Sequence, residues 1–349
     1  MKAALLRSLD DVAIVEMPAP EIGAGEILVE MRAVGICGSD VTPWYVNAKA
    51  PAVLGHEPAG VVAKVAPGVT AFRPGDRVFV HHHAACGTCR LCLAGEPVMC
   101  SEWTKTRLHP GGLAEFVRVE AATVRTDTLK LPEGVSFEDG TLIEPVACAV
   151  KAVRRGDVKK GDTVAVIGLG SNGILLGFVA RHAGATTLVG SDPDPARRAH
   201  AMRLGFDAVL DPLEDLSKKV KRENRAGAGA MGGHPAGGAD VVFVLPSLEE
   251  AVLAALSAVG PAGRVVFYSP VEPGKAWRFS PHTAYLRDLT LRFSYSCGPA
   301  EIREALRLIE KGVVRADRIV THRVPLSRAP EAFRLGVSRG DVLKVLVTF

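Results

Sequence analysis

No stretch of the sequence approaches 18 consecutive apolar residues, so no membrane-spanning helix is expected. The opening "MKAALLRSLDDVAIVEM" is charged too early to form the apolar core of a secretory signal, and the expected location is the cytoplasm. No internal repeat is visible. Large blocks of one charge are also missing: the net charge of +4 is mild for 349 residues. The basic run "KKVKR" (Lys218 to Arg222) reads as a solvated helix face, not as a nucleic-acid patch. Cysteines are few outside one place. Of seven, four fall between Ala84 and Cys100, and in a reducing compartment such clustering favours metal over disulfide. What remains is a soluble globular chain, 48% hydrophobic and 23% charged, long enough for two domains.

Two grammars follow one another. From Met1 to about Leu142 the chain reads as short strands and turns, as in "EILVEMRAVGICG" and "AGVVAKVA". From about Gly161 strands alternate with helices: "TVAVIG", "ILLGFVARHAG", "TTLVGSD", "ARRAHAMRLGF", "ADVVFVLP", "EEAVLAALSAVG" and "GRVVFYSP". That alternation implies right-handed βαβ units and a parallel sheet. After Cys297, "PAEIREALRLIEKG" reads as an amphipathic helix and "DVLKVLVTF" as a closing strand that returns to the first domain. The Gly-rich segment Arg225 to Gly238 reads as a flexible loop.

"VIGLGSNG" places Gly168, Gly170 and Gly173 in G-x-G-x-x-G spacing, after a strand and at the start of a helix. The first glycine permits the tight turn, the second lets a pyrophosphate approach, and the third lets helix and strand pack closely. Ser171 and Asn172 open the helix, whose free N–H groups face the phosphates. Asp192, nineteen positions after Gly173, suits a ribose 2′-hydroxyl and repels a 2′-phosphate, favouring NAD over NADP. A helix-cap role is the other reading of Asp192. Arg197 and Arg198 nearby are the basic pair that would tolerate a phosphate.

Cys86, Cys89, Cys92 and Cys100, spaced C-x2-C-x2-C-x7-C, complete a tetrahedral thiolate shell for a structural zinc ion. Catalysis needs a metal with an open position. Cys37 in "GICGSD" and His56 with Glu57 in "LGHEPAG" offer sulfur, nitrogen and oxygen donors in Gly-bounded turns. Each alone is equally a core cysteine, a satisfied histidine or a surface carboxylate. Glu144 in "LIEPVACAV" lies where the first domain passes into the second. His81 to His83 follow the strand "RVFV"; in a strand they would alternate faces and could not all bind one ion without distortion, so they read as strand-end histidines near the cleft, with a ligand or proton-transfer role as the lesser reading. Cys148 and Cys297 lack a partner pattern and read as core residues.

These motifs occur together in an order that resembles the zinc-dependent medium-chain dehydrogenases, polyol and threonine dehydrogenase branch. "GICGSD", "GHEPAG", "GDRV", the cysteine lobe, "EP", "VIGLGSNG", "LRLIEKG" and "KVLVTF" carry the resemblance across nearly the whole chain. It implies an α/β protein with a GroES-like β-rich catalytic domain, residues 1–148 and 298–349. A Rossmann domain with a doubly wound parallel sheet, residues 149–297, interrupts it, and the active site lies in the cleft between them. The resemblance assigns Cys37, His56, Glu57 and Glu144 to a catalytic zinc, with Glu57 or Glu144 exchanging with water, and the four clustered cysteines to a structural one. It also implies a homo-oligomer, a tetramer ahead of a dimer. Two departures concern the substrate. Thr42 stands where relatives commonly carry a histidine, and the loop between Cys37 and His56, with Trp44 and Tyr45, is short.

The expected reaction is NAD-dependent oxidation of a polyol or secondary alcohol, with Ser39 relaying the released proton. The small-molecule substrate is an alcohol or, in reverse, a carbonyl compound; neither nucleic acid nor membrane is an expected partner. Oxidation of an amino alcohol, as by an L-threonine 3-dehydrogenase, is the alternative within the class. A non-catalytic nucleotide-binding zinc protein is the alternative outside it, and the mixed Cys/His/Glu donor set speaks against that. A zinc-independent reductase on the same fold would lack these ligands.

Overall fold

The computed structural model describes residues 1–212, 214, 216–220, 222–223, 237–338 and 340–349. Most of the Gly-rich segment at 225–238 therefore lies outside the described residues. The chain forms two compact units, Met1–Ala147 with Cys297–Phe349, and Cys148–Ser296.

The second unit is built on "TVAVI", Thr163–Ile167, a strand with every residue buried. A strand with no polar face must sit inside a sheet covered on both sides. It pairs in parallel with Thr187–Ser191 on one flank and Ala239–Val244 on the other. The six-stranded order is Ala208–Leu210, Thr187–Ser191, Thr163–Ile167, Ala239–Val244, Val259–Phe267, Thr290–Phe293. Every pairing is parallel. The chain therefore winds outward one way from Thr163–Ile167 and then returns to wind the other way. A doubly wound sheet opens a crevice at the carboxyl ends of the strands where that reversal occurs. Helix Ser171–His182 begins there, and Pro195–Arg203 follows, its N-terminus capped by Asp194 through the N–H of Ala196 at 2.8 Å.

The first unit holds both chain ends. An eight-stranded sheet runs Val320–Pro325, Lys344–Thr348, Ile27–Gly35, Glu57–Val65, Arg77–Val80, Thr128–Lys130, with Phe116–Val119 and Leu108–His109 branching from Ile27–Gly35. The closing strand thus joins the first domain's sheet, with Leu346 opposite Gly35. Gly35 is also opposite Glu57. A side chain is not admissible there: a Cβ on Gly35 would lie 1.8 Å from Glu57 Oε2. Helix Pro299–Glu310 buries Ile302, Ala305, Leu308 and Ile309, the 3–4 spacing of an amphipathic helix.

Candidate active site and metal centres

The four clustered cysteines converge. Their sulfur atoms lie within 4.8 Å of one another, and none forms a disulfide. Cys89 and Cys92 Sγ are 3.5 Å apart, and Cys86 and Cys92 Sγ 3.9 Å. Four sulfurs about 2.3 Å from one zinc would stand about 3.8 Å apart, so the cage has zinc dimensions. Backbone N–H groups of Cys89 and Glu102 donate to Cys86 and Cys100 Sγ at 3.3 and 3.4 Å. N–H groups of Thr88 and Cys89 pull the Cys86 thiol down to about 6, whereas burial and the neighbouring Cys89 push Cys92 up to about 12. The lobe's own buried core is only Ala85, Val98, Cys100 and Trp103. So small a core needs a staple.

A second set of donors lies at the ends of the first unit's central strands. Cys37, His56 and Glu57 place one ligand atom each within 4.8 Å of the others. Asp40, which the sequence reading passed over, organises them. Its Oδ2 accepts the N–H of Cys37 at 3.0 Å, and its Oδ1 is 3.3 Å from His56 Nδ1. That leaves His56 Nε2 as the metal-facing nitrogen, an orientation that carboxylates commonly impose on ligating histidines. Burial opposes charge on both residues, but their mutual attraction prevails: the Asp40 carboxyl is held low, and His56, also beside Cys37, is raised well above the ordinary histidine value. Glu57 is 0% exposed and ion-paired with buried Lys344, whose Nζ also donates to Ile36 O at 3.1 Å. Burial lowers Lys344, yet the charges of Glu57 and Cys37 leave it raised overall.

Glu144 lies close enough for its charge to raise Lys344 together with those of Glu57 and Cys37. Its carboxylate groups with His81 and His82, again within 4.8 Å. The three histidines do not alternate across a strand, because the strand ends at Val80. Their rings gather instead, His81–His82 at 4.6 Å and His82–His83 at 4.3 Å between centroids. His82 also lies 5.0 Å from the His56 ring. Burial holds all three neutral; His81 is pushed down to about 3. Cys297 is fully buried, as its core reading expects, and its Sγ is 3.7 Å from His81 Nε2.

Ser39 sits half-buried in the turn Gly38–Val41 that follows Cys37. Thr42 spends its hydroxyl on the Gly38 carbonyl at 2.7 Å. Trp44 and Tyr45 are half-buried and pack edge to face, 5.7 Å between centroids.

In the second unit, Gly168 has φ of +95° and its N–H meets Ser191 O at 2.8 Å. A Cβ on Gly173 would lie 2.0 Å from Gly168 O, whereas a Cβ on Gly170 would meet nothing nearer than Arg197 Nη1 at 3.9 Å. The second glycine therefore faces open space, the third a wall. Asp192 is buried: Oδ2 accepts the N–H of Leu169 at 2.8 Å and Oδ1 that of Asp194 at 2.9 Å. The carboxylate thus ties the glycine turn to the next strand. Arg197 Nη1 is 4.0 Å from it, and Arg197 Nε and Asn172 Oδ1 are buried without hydrogen-bond partners. Of these, the Arg197 N–H, an unsatisfied donor on a cation near the open glycine face, suits a phosphate-bearing ligand, whereas the Asn172 oxygen suits a donor.

Comparison with known proteins agrees. Residues 23–133 match the alcohol dehydrogenase GroES-like domain and residues 159–311 the zinc-binding dehydrogenase domain. Sorbitol dehydrogenase of Homo sapiens is 32% identical over 349 residues, covering 97% of this chain and 92% of that protein. D-xylulose reductase A of Aspergillus clavatus is 30% identical over 360 residues, covering 98% and 95%. A zinc-binding dehydrogenase of Sinorhizobium meliloti, solved with NADP, superimposes with a TM-score of 0.85 at 29% identity over 100% of this chain and 99% of that one. With its GroES-like and Rossmann halves and its clustered thiol, imidazole and carboxylate donors, the chain belongs to the zinc-dependent medium-chain alcohol dehydrogenase family and is an oxidoreductase.

Proposed function

We propose that the protein oxidises a polyol or secondary alcohol with NAD, using one catalytic and one structural zinc ion. The observation that carries this reading is the mixed donor trio Cys37, His56 and Glu57, oriented by Asp40 and held by Lys344. Three mixed donors are a catalytic pattern, since a structural site closes its shell with a fourth, usually thiolate, ligand. Zinc there supplies Lewis acidity toward an alcohol oxygen, and NAD supplies the hydride acceptor. The chain's part is positioning and proton handling. Asp40 fixes the His56 ring, and Lys344 compensates the buried Glu57 charge. Ser39, in the turn after Cys37, relays the substrate proton, its oxygen taking that proton as its own hydrogen passes to the coenzyme ribose or a water chain; Thr42, already bonded to Gly38, does not compete. Glu144 stands with His81 and His82 as a reserve carboxylate.

Gly168, Gly170, Ser171, Asn172, Gly173 and Arg197 hold the pyrophosphate, and Asp192 holds the adenosine ribose. The buried Asp192 carboxylate supports NAD, because a 2′-phosphate would be repelled there. A homo-oligomer, tetrameric and cytoplasmic, completes the reading. For association of copies, the support is the edge strand Thr290–Phe293 of the parallel sheet, where Phe293 is 69% exposed and Tyr285 nearby in sequence 83%. Reduced-coenzyme formation with a panel of polyols, secondary alcohols and L-threonine tests the reading. Activity confined to threonine would favour the amino-alcohol alternative. No activity with any alcohol in protein carrying both zinc ions would refute the proposal.

A further inference from the structure

The histidine bend after Val80 carries charge of opposite sign at its two ends. Acidic side chains meet it at its first two residues: Asp127 Oδ1 is 3.7 Å from His81 Nδ1, and the Glu144 carboxylate groups with His81 and His82. His83 has cations beside it instead. Lys49 and Arg107 both lie close enough for their charge to act on its ring, and Lys49 acts on His82 as well. The chain path puts them there. Arg107 directly follows Thr106, whose carbonyl accepts the N–H of His83 Nδ1 at 2.9 Å and whose hydroxyl accepts the Ala84 N–H at 2.7 Å. Lys49 lies on the loop that joins Cys37 to His56, two residues past the helix Pro43–Asn47.

Both cations are exposed, and neither has an ion-pair partner among the described residues. Other basic side chains of this unit find carboxylates, as Lys105 does at Glu102, Lys130 at Asp76 and Arg323 at Glu138. Lys49 turns to the Tyr45 hydroxyl at 2.5 Å. An ammonium has three hydrogens, so two stay available. Burial keeps the His82 and His83 rings neutral, so the positive charge of this corner rests on Lys49 and Arg107. The corner borders the metal ligands: the His82 ring is 4.3 Å from that of His83 and 5.0 Å from that of His56. Cations without a carboxylate of their own, next to a reaction centre, attract an anion and fix its orientation.

We infer that Lys49 and Arg107 are specificity-determining residues for a substrate that carries an anionic group, a carboxylate or a phosphate, a few carbons from the carbinol that is oxidised. This rests on the alcohol-oxidation reading above and names its substrate class. The carbinol stands at the Cys37–His56–Glu57 centre and the anion at the His83 corner, away from Glu144 and Asp127.

The test uses the full chain with its zinc ions and NAD, and three substrates of one carbon skeleton: a neutral polyol, the aldonate and the polyol monophosphate. For the better anionic substrate, kcat/KM is expected to exceed that of the neutral polyol at least about tenfold, the scale of one hydrogen bond to a charged group. A leading aldonate identifies a carboxylate and a leading monophosphate a phosphate; either supports the inference. Lys49→Met should lower the anionic-to-neutral ratio at least about tenfold, through KM more than kcat, and Lys49→Arg should restore most of it. Raised ionic strength should lower the same ratio, which a merely structural role would not. A neutral polyol used as well as both anions overturns the inference and leaves the earlier reading standing. A preference that Lys49→Met and Arg107→Met both leave unchanged overturns it too. If Lys49→Met does not fold, Arg107→Met and ionic strength decide: a fall in the ratio with either supports the inference, and no fall with both overturns it. No turnover of any of these alcohols in protein carrying both zinc ions refutes the earlier reading and the inference with it.

Discussion

Replacing the two later glycines of "GLGSNG" by alanine should give opposite phenotypes. In Gly173→Ala the new methyl carbon would lie 2.0 Å from the Gly168 carbonyl oxygen and 3.0 Å from its carbon. Both atoms are backbone of the same turn, so neither can rotate away. Overpacking costs about 1–3 kcal/mol, and a backbone clash this close belongs at the upper end, about 3 kcal/mol. At about 2–4 °C per kcal/mol for a domain of this size, the nucleotide-binding unit should melt about 6–12 °C earlier. Gly170→Ala meets no such wall. Its φ of −66° and ψ of −176° suit any residue, and Arg197 Nη1 is the nearest atom at 3.9 Å. Its stability cost should stay within about 1 kcal/mol. The methyl would, however, occupy the face that a pyrophosphate must approach. Coenzyme affinity should then fall at least about tenfold, a loss of about 1.4 kcal/mol. Circular-dichroism melts and fluorescence titrations with NAD and NADP read the two effects separately. Unchanged coenzyme affinity in Gly170→Ala would refute the open-face reasoning. Equal melting losses in both variants would refute the contrast between wall and opening.

Other substitutions probe the remaining parts. Cys89→Ala should lower zinc content and unfold the cysteine lobe, seen as early proteolysis between Ala84 and Cys100, whereas Cys37→Ser should remove turnover from a folded protein. Lys344→Met leaves Glu57 buried and uncompensated, and should cost about 3–5 kcal/mol in metal-free protein. Urea midpoints with and without zinc measure that cost; an unchanged metal-free midpoint would show that the ion pair contributes nothing. Asp192→Ala should relax the preference for NAD, and better use of NADP than NAD by the unaltered protein would make Arg197 and Arg198 the better guide to the coenzyme. Ser39→Ala should lower turnover about 10²–10⁴-fold with zinc content unchanged, Thr42→Ala far less. Near-normal turnover of Ser39→Ala across pH would move the proton path elsewhere.

The features that could be read along the chain are those whose constraint is local. A tight strand-to-helix turn demands glycine at fixed intervals, so Gly168, Gly170 and Gly173 announce themselves. A tetrahedral thiolate shell folded from one loop demands close cysteines, so Cys86 to Cys100 do too. The alternation of strand and helix after Gly161 carries the doubly wound sheet in the same way. Tertiary structure decided what depends on chain-distant approach. Lys344 looks like an ordinary strand residue in "KVLVTF" until the closing strand brings it to Glu57. Asp40 is one more turn aspartate until His56 arrives beside it. The histidine run reads as the end of the strand "RVFV", and the strand does stop at Val80; only the tertiary structure gathers the rings beside Glu144 and Cys297. Such meetings leave no period or spacing in the sequence, because each partner satisfies its local geometry without the other, and only burial makes them depend on one another.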